Sequence, residues 1–86
     1  MEIREVLALN LRKFRQAKGL SQEELADRAE IDRTYISAVE RSVYAASIDV
    51  VDRLARGLGV EAADLLRRPS APTTFGKKQR RAVNDE

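Results

Sequence analysis

The chain has 86 residues and a formal net charge of +2, with 35% charged residues and neither cysteine nor histidine. That length supports one small domain with one core. The missing cysteines exclude a disulfide framework and a thiolate metal site, and the missing histidines remove the commonest general base and metal ligand.

No apolar run approaches the ~20 residues that span a bilayer, and no signal-peptide pattern opens the chain. The expectation is a soluble, cytoplasmic protein with no membrane partner, no cofactor and no metal. Charge is unevenly placed. Residues 1–68 hold 12 Lys/Arg and 12 Asp/Glu, whereas residues 69–86 hold four and two. A folded part that binds nucleic acid must therefore sort its positive charge onto one face.

Residues 3–18 predict a long amphipathic helix, with Ile3, Val6, Leu7, Asn10, Leu11 and Phe14 at the spacing of a core-facing stripe. Gly19 suits the left-handed position that ends such a helix, and Leu20 is expected to pack inward. Ser21 is a good N-cap, and Glu24, three residues on, completes a capping box. Leu25, Ala26 and Ala29 form the apolar stripe of this second helix. Ala26 is small enough for the next helix to cross close over it. Ile31 follows, tucked inward, and Asp32 caps a third helix with Ile36 and Val39 as its buried ridge.

After Arg41 comes a loop, Ser42 to Ala46. Ser47 caps a fourth helix, Ile48 to about Leu58, with Ile48, Val51, Leu54, Ala55 and Leu58 facing in. Asp49 and Asp52 suit its dipole, and Gly57 and Gly59 bracket its end. A short fifth helix, Glu61 to about Arg67, carries Leu65 and Leu66. No strand pattern and no repeat is visible. Pro69 stops the last helix. Residues 69–86, with two prolines and the basic cluster Lys77-Lys78-Gln79-Arg80-Arg81, are expected to form a flexible tail. It either brushes phosphates or has no role.

The stretch from Ser21 to Arg41, with SQEELADRA followed by DRTYISAVER, resembles the helix-turn-helix of the Cro/C1-type (Xre) family of DNA-binding proteins. The matching residues are Gln22, Leu25, Ala26, Ile31, Ile36 and Val39. The likeness is to the small controller proteins of restriction–modification operons and mobile elements, and it covers roughly Ile3 to Leu66. It implies an all-α, compact five-helix bundle over residues 1–68. One departure is Glu30, where the family places Gly. A left-handed conformation there costs on the order of 1 kcal/mol.

On the third helix, the inward direction of Ile36 and Val39 turns Arg33, Thr34, Ser37 and Ala38 toward the opposite side. Arg33 can donate twice to guanine, and Thr34 and Ser37 can reach bases. The alternative for Arg33 is a surface charge paired with Asp32 or Glu30. Tyr35, at the side of this face, suits a phosphate or sugar edge. Gln22 opens a helix, where N–H groups and the dipole favour an anion, and the resemblance implies a phosphate contact there. Arg41, Ser42 and Tyr44 form a second candidate backbone clamp, although Tyr44 equally suits the core.

The resemblance further implies an ion pair between Arg15 and Glu40. It implies a two-fold dimer on pseudo-palindromic double-stranded DNA. Leu58, Val60, Leu65 and Leu66 are the candidate dimer surface; alternatively they close the bottom of the core. Glu23 and Asp27 match positions that touch RNA polymerase sigma factor in some family activators, and ordinary helix-dipole stabilisation explains them as well. The function expected is a dimeric, sequence-specific transcriptional regulator. The alternative is a protein-interaction module, such as an antitoxin-like partner binder on the same fold. An enzyme fits worst, because adjacent Glu23 and Glu24 diverge by about 100° around a helix and no glycine-rich phosphate loop is present.

Overall fold

A computed structural model describes residues 1–69. The expectations for the segment beyond, including the flexible tail and its basic cluster, lie outside the described residues. Five helices follow one another: α1 (Ile3–Ala17), α2 (Gln22–Ala29), α3 (Arg33–Glu40), α4 (Ile48–Leu58) and α5 (Ala62–Leu65). No strand occurs among the described residues.

The starts of these helices are set by local hydrogen bonds. The Ser21 hydroxyl accepts from the Glu24 N–H at 3.0 Å, and the Ser21 N–H donates to Glu24 Oε1 at 2.8 Å. Asp32 accepts from the Thr34 N–H at 2.7 Å, and the Ser47 hydroxyl from the Val50 N–H at 3.1 Å. Each satisfies a donor that the first helical turn leaves unpaired.

The four longer helices end alike. Gly19, Glu30, Ser42 and Gly59 all take positive φ. In each case that residue's N–H and the next one turn back onto carbonyls of the helix just ended, as Ser42 does to Val39 and Val43 to Ala38. This is the Schellman arrangement. Glycine fills it after α1 and α4. Around α3 the two positions belong to Glu30, before the helix, and Ser42, after it.

The core joins Leu7 and Leu11 of α1, Leu25 and Ala29 of α2, Ile36 and Val39 of α3, Leu54 and Leu58 of α4, and Leu65 of α5. A fully buried leucine contributes about 1.5–3 kcal/mol, so this cluster dominates folding. Gly57 lies inside α4 rather than at its end. A Cβ there would come within 3.1 Å of Leu25 Cδ1, so the missing side chain lets α4 approach α2. Asn10, also on the inner face of α1, is buried. Its Nδ2 donates to the carbonyls of Leu65 at 2.9 Å and Arg67 at 2.8 Å.

Several expectations need correction. The fifth helix is shorter than Glu61–Arg67, covering only Ala62–Leu65. Asn10 claims carbonyls on both sides of Leu66, and Pro69 disfavours helical geometry just before it. Ile48 is not buried but is 86% exposed. It points almost the same way as buried Ala55, seven residues on, but stands at the first position of α4, where nothing among the described residues covers it. Ile3 is also exposed, because the α1 stripe runs a turn past any neighbour that covers it. Phe14 is only partly buried, against the edge of the core.

Candidate nucleic-acid interface

Helix α3 has a buried back and a hydrophilic front. Ile36 and Val39 are fully buried, while Arg33 and Thr34 are exposed and Ser37 is half-buried. Arg33 forms no ion pair among the described residues, so it is not the paired surface charge that Asp32 or Glu30 offered. Asp32 instead holds the first turn. The Thr34 backbone N–H, and to a smaller degree the Thr34 side chain and the Arg33 charge, keep its carboxyl below the ordinary value. Ala38 is a correction: it is buried, not on the front, because the chain folds back beneath it and the Val43 N–H bonds to its carbonyl.

Both ends of α3 are fixed from outside the helix. At its start, Glu30 sits at φ 58°, ψ 46°, and Arg53 from α4 reaches its carbonyl at 3.4 Å. At its end, Glu40 is 5% exposed, and its carboxylate is held by three donors. Arg15 Nε lies 2.6 Å from Oε2 and Nη2 3.1 Å from Oε1, and Gln22 Nε2 donates to Oε1 at 3.0 Å. The third Arg15 nitrogen caps the Leu20 carbonyl at 2.8 Å. One buried carboxylate thus joins α1, the start of α2 and the end of α3. Such a site orients helices more than it stabilises them, since desolvation offsets much of the attraction.

Gln22 is half-buried at the start of α2. The sequence suggested a phosphate contact; the structure adds its bond to Glu40. One amide N–H is spent there, and a second remains for an anion. Beyond α3, Arg41 is exposed and its Nε donates weakly to the Ser37 carbonyl at 3.3 Å. Ser42 holds the left-handed corner, which no sequence signal announced. Tyr44 is 54% exposed and stays out of the core; its ring leans on Tyr35 with centroids 5.6 Å apart and planes tilted by 49°. Glu23 and Asp27 are exposed on α2.

The candidate dimer residues divide. Leu58 and Leu65 are 1% and 0% exposed, so they close the monomer's core and are not available to a partner. Val60 packs partly against the same core. Only Leu66 stands out, at 39%.

An all-helical fold whose third helix keeps a hydrophilic front on an anchored back defines a helix-turn-helix DNA-binding domain. The chain belongs to the Cro/C1-type helix-turn-helix family, whose model matches residues 11–65. That family is a class of DNA-binding transcription regulators rather than of enzymes.

The chain is similar to a hypothetical transcription factor of Neisseria meningitidis, with 48% identity over 68 residues, 79% of this chain and 64% of that one. A crystal structure of the Neisseria factor matches with a TM-score of 0.77 over 79% of this chain and 78% of that chain. Control protein C.SmaI of Serratia marcescens is 40% identical over 68 residues, 79% of this chain and 81% of its own length. The restriction–modification controller protein C.AhdI of Aeromonas hydrophila matches with a TM-score of 0.70 and 39% identity, covering 72% of this chain and 94% of that chain. No helix among the described residues is long and apolar enough to cross a membrane.

Proposed function

We propose that this protein is a sequence-specific transcription regulator that binds pseudo-palindromic operators as a homodimer and controls its own or a neighbouring promoter. The carrying observation is the front of α3, where Arg33 and Thr34 stand exposed, Arg33 in no ion pair among the described residues, above a fully buried Ile36–Val39 ridge. In this reading α3 enters the major groove. Arg33 takes a guanine through two parallel hydrogen bonds, and Thr34 and Ser37 meet neighbouring bases.

Gln22, Tyr35, Arg41, Ser42 and Tyr44 hold the phosphate backbone and so set the register without reading sequence. Arg41 brings a full charge to this task, and the tyrosine pair brings two hydroxyls on a rigid support. Residues 1–68 form the DNA-binding unit, and 69–86 are a basic extension. Exposed Glu23 and Asp27 are the surface on which a sigma factor would be met if the protein activates. Similarity to control proteins favours a promoter close to the protein's own gene.

Selection of bound duplexes from a random pool tests this. The expected result is a half-site of a few base pairs, repeated with two-fold symmetry about one DNA turn away. Affinity for the selected duplex should fall steeply with salt. An unselective pool and a flat salt response would overturn the reading and favour a protein-interaction module on the same fold.

A further inference from the structure

Tyr35 and Tyr44 are the only two tyrosines of the chain, and they meet at the edge of the α3 front. Their ring centroids lie 5.6 Å apart with the planes tilted by 49°. Aromatic pairs favour that spacing and an inclined arrangement over a flat sandwich. The two rings are not equivalent. Tyr35 stands on α3 and is half-buried against the core. Tyr44 belongs to the loop between α3 and α4 and is 54% exposed. Neither hydroxyl has a hydrogen-bond partner among the described residues. The Tyr35 ring is thus held by the core on one side and by Tyr44 on the other, with its polar tip left over.

The loop has few other ties. The Ser42 and Val43 N–H groups close the left-handed corner onto Val39 and Ala38. From Tyr44 to Ala46 no hydrogen bond is made among the described residues, and Ala46 packs at the margin of the core. Between the corner and Ala46, the Tyr44 ring is what connects this loop to α3.

We propose that Tyr44 is a positioning residue for Tyr35: its ring closes the outer side of Tyr35 and aims the Tyr35 hydroxyl at a phosphate of the duplex. The proposal rests on the DNA-binding reading above and gives the two tyrosines different tasks within it. Orientation matters here because charge is missing. Residues 42–46 carry no charged side chain, and Arg41 is the last cation before Arg53. A guanidinium attracts a phosphate from many angles, whereas a neutral hydroxyl gains only when its O–H lies on line with an oxygen. A tyrosine ring with one open side can turn about its two side-chain torsions. A neighbour on that side removes the choice before DNA arrives, which raises affinity without adding a contact.

The test is competition binding to the selected duplex, with Tyr35→Phe measured in three backgrounds. In the otherwise wild-type chain, loss of that hydroxyl should weaken binding about tenfold. With Tyr44→Phe, which keeps the ring, the step should be the same size. With Tyr44→Ala it should shrink to less than about twofold, because the hydroxyl is no longer held on target. A Tyr44 that only shaped the loop would weaken binding when cut to alanine yet leave the Tyr35→Phe step intact, and that result overturns the proposal. So does a Tyr35→Phe step of no size in the wild-type chain, although Arg33 would still read the duplex. A chain that selects no duplex from a random pool brings down the DNA-binding reading and the proposal together. Aromatic NMR of the free protein checks the contact without DNA. Tyr44→Ala should displace the Tyr35 ring resonances and keep the helical signal, since Tyr44 is largely exposed. Tyr35 resonances that stay in place would also end the proposal.

Discussion

The side-chain amide of Gln22 donates to Glu40 Oε1 across 3.0 Å, although the two residues stand at the start of one helix and the end of another. Through Glu40 the same amide is linked to Arg15 on α1. The group proposed to meet a phosphate is therefore positioned by the ion pair that orients the reading helix.

Breaking that network from one side should be severe. Arg15→Met leaves Glu40 charged, buried and short of two donors, and should cost about 3–5 kcal/mol in a urea titration. Arg15→Met combined with Glu40→Met should cost less than Arg15→Met alone, because no orphan charge remains. A double variant as unstable as the sum of its singles would contradict this account. Gln22→Ala should weaken duplex binding to a similar degree for all sequences, with the preferred half-site unchanged.

The left-handed residues beside α3 should respond in the opposite sense. Glu30 and Ser42 occupy a conformation that costs a side-chain-bearing residue about 1 kcal/mol. Glu30→Gly and Ser42→Gly should each raise stability, by up to about that amount once glycine's extra chain entropy is subtracted. Gly59→Ala, at the corresponding place after α4, should lower stability by about 1 kcal/mol. Thermal melts of the three variants decide it.

On the reading face, charge and recognition should separate. Arg33→Ala should cost about 1–3 kcal/mol on the selected duplex and relax preference at one base pair. Arg41→Ala should weaken binding to every duplex about equally and reduce the salt slope by about one unit. Competition binding at several salt concentrations distinguishes the two behaviours. An Arg33→Ala variant with intact specificity would remove Arg33 from the base-contact set.

Acid should loosen the helix starts. The Ser21 backbone N–H holds the Glu24 carboxyl below its ordinary 4.5, and the Thr34 N–H holds that of Asp32 below 3.8. The Arg67 guanidinium does the same for Asp64. Each group has a lower pKa folded than unfolded. Its stabilisation is therefore complete above the ordinary value and fades as pH drops through the folded one. The melting temperature should be level from pH 7 to about 5 and decline below about 4.5. The Glu24→Gln, Asp32→Asn double variant should decline less steeply, and asparagine keeps the cap at Asp32 functional at neutral pH.

Ser21, Asp32 and Ser47 could be named as helix starts from the sequence alone, and Gly19 as a stop. Each rests on hydrogen bonds to residues two to five places away, so the signal and its partner share one short stretch. The Ile36–Val39 ridge and the hydrophilic front led by Arg33 follow in the same way from helical spacing. So does the Arg15–Glu40 pair, once the family resemblance is granted. What tertiary packing alone decided is which of several equally apolar or small residues found cover. Leu58 and Leu65 did, and Ile48 and Leu66 did not. Ala38 is buried where spacing placed it outward, and Gln22 bonds to Glu40, 18 residues away. Those outcomes depend on where helices distant in the chain end against one another. Periodicity fixes the direction a side chain leaves its own helix, but says nothing about whether a neighbour is there to receive it.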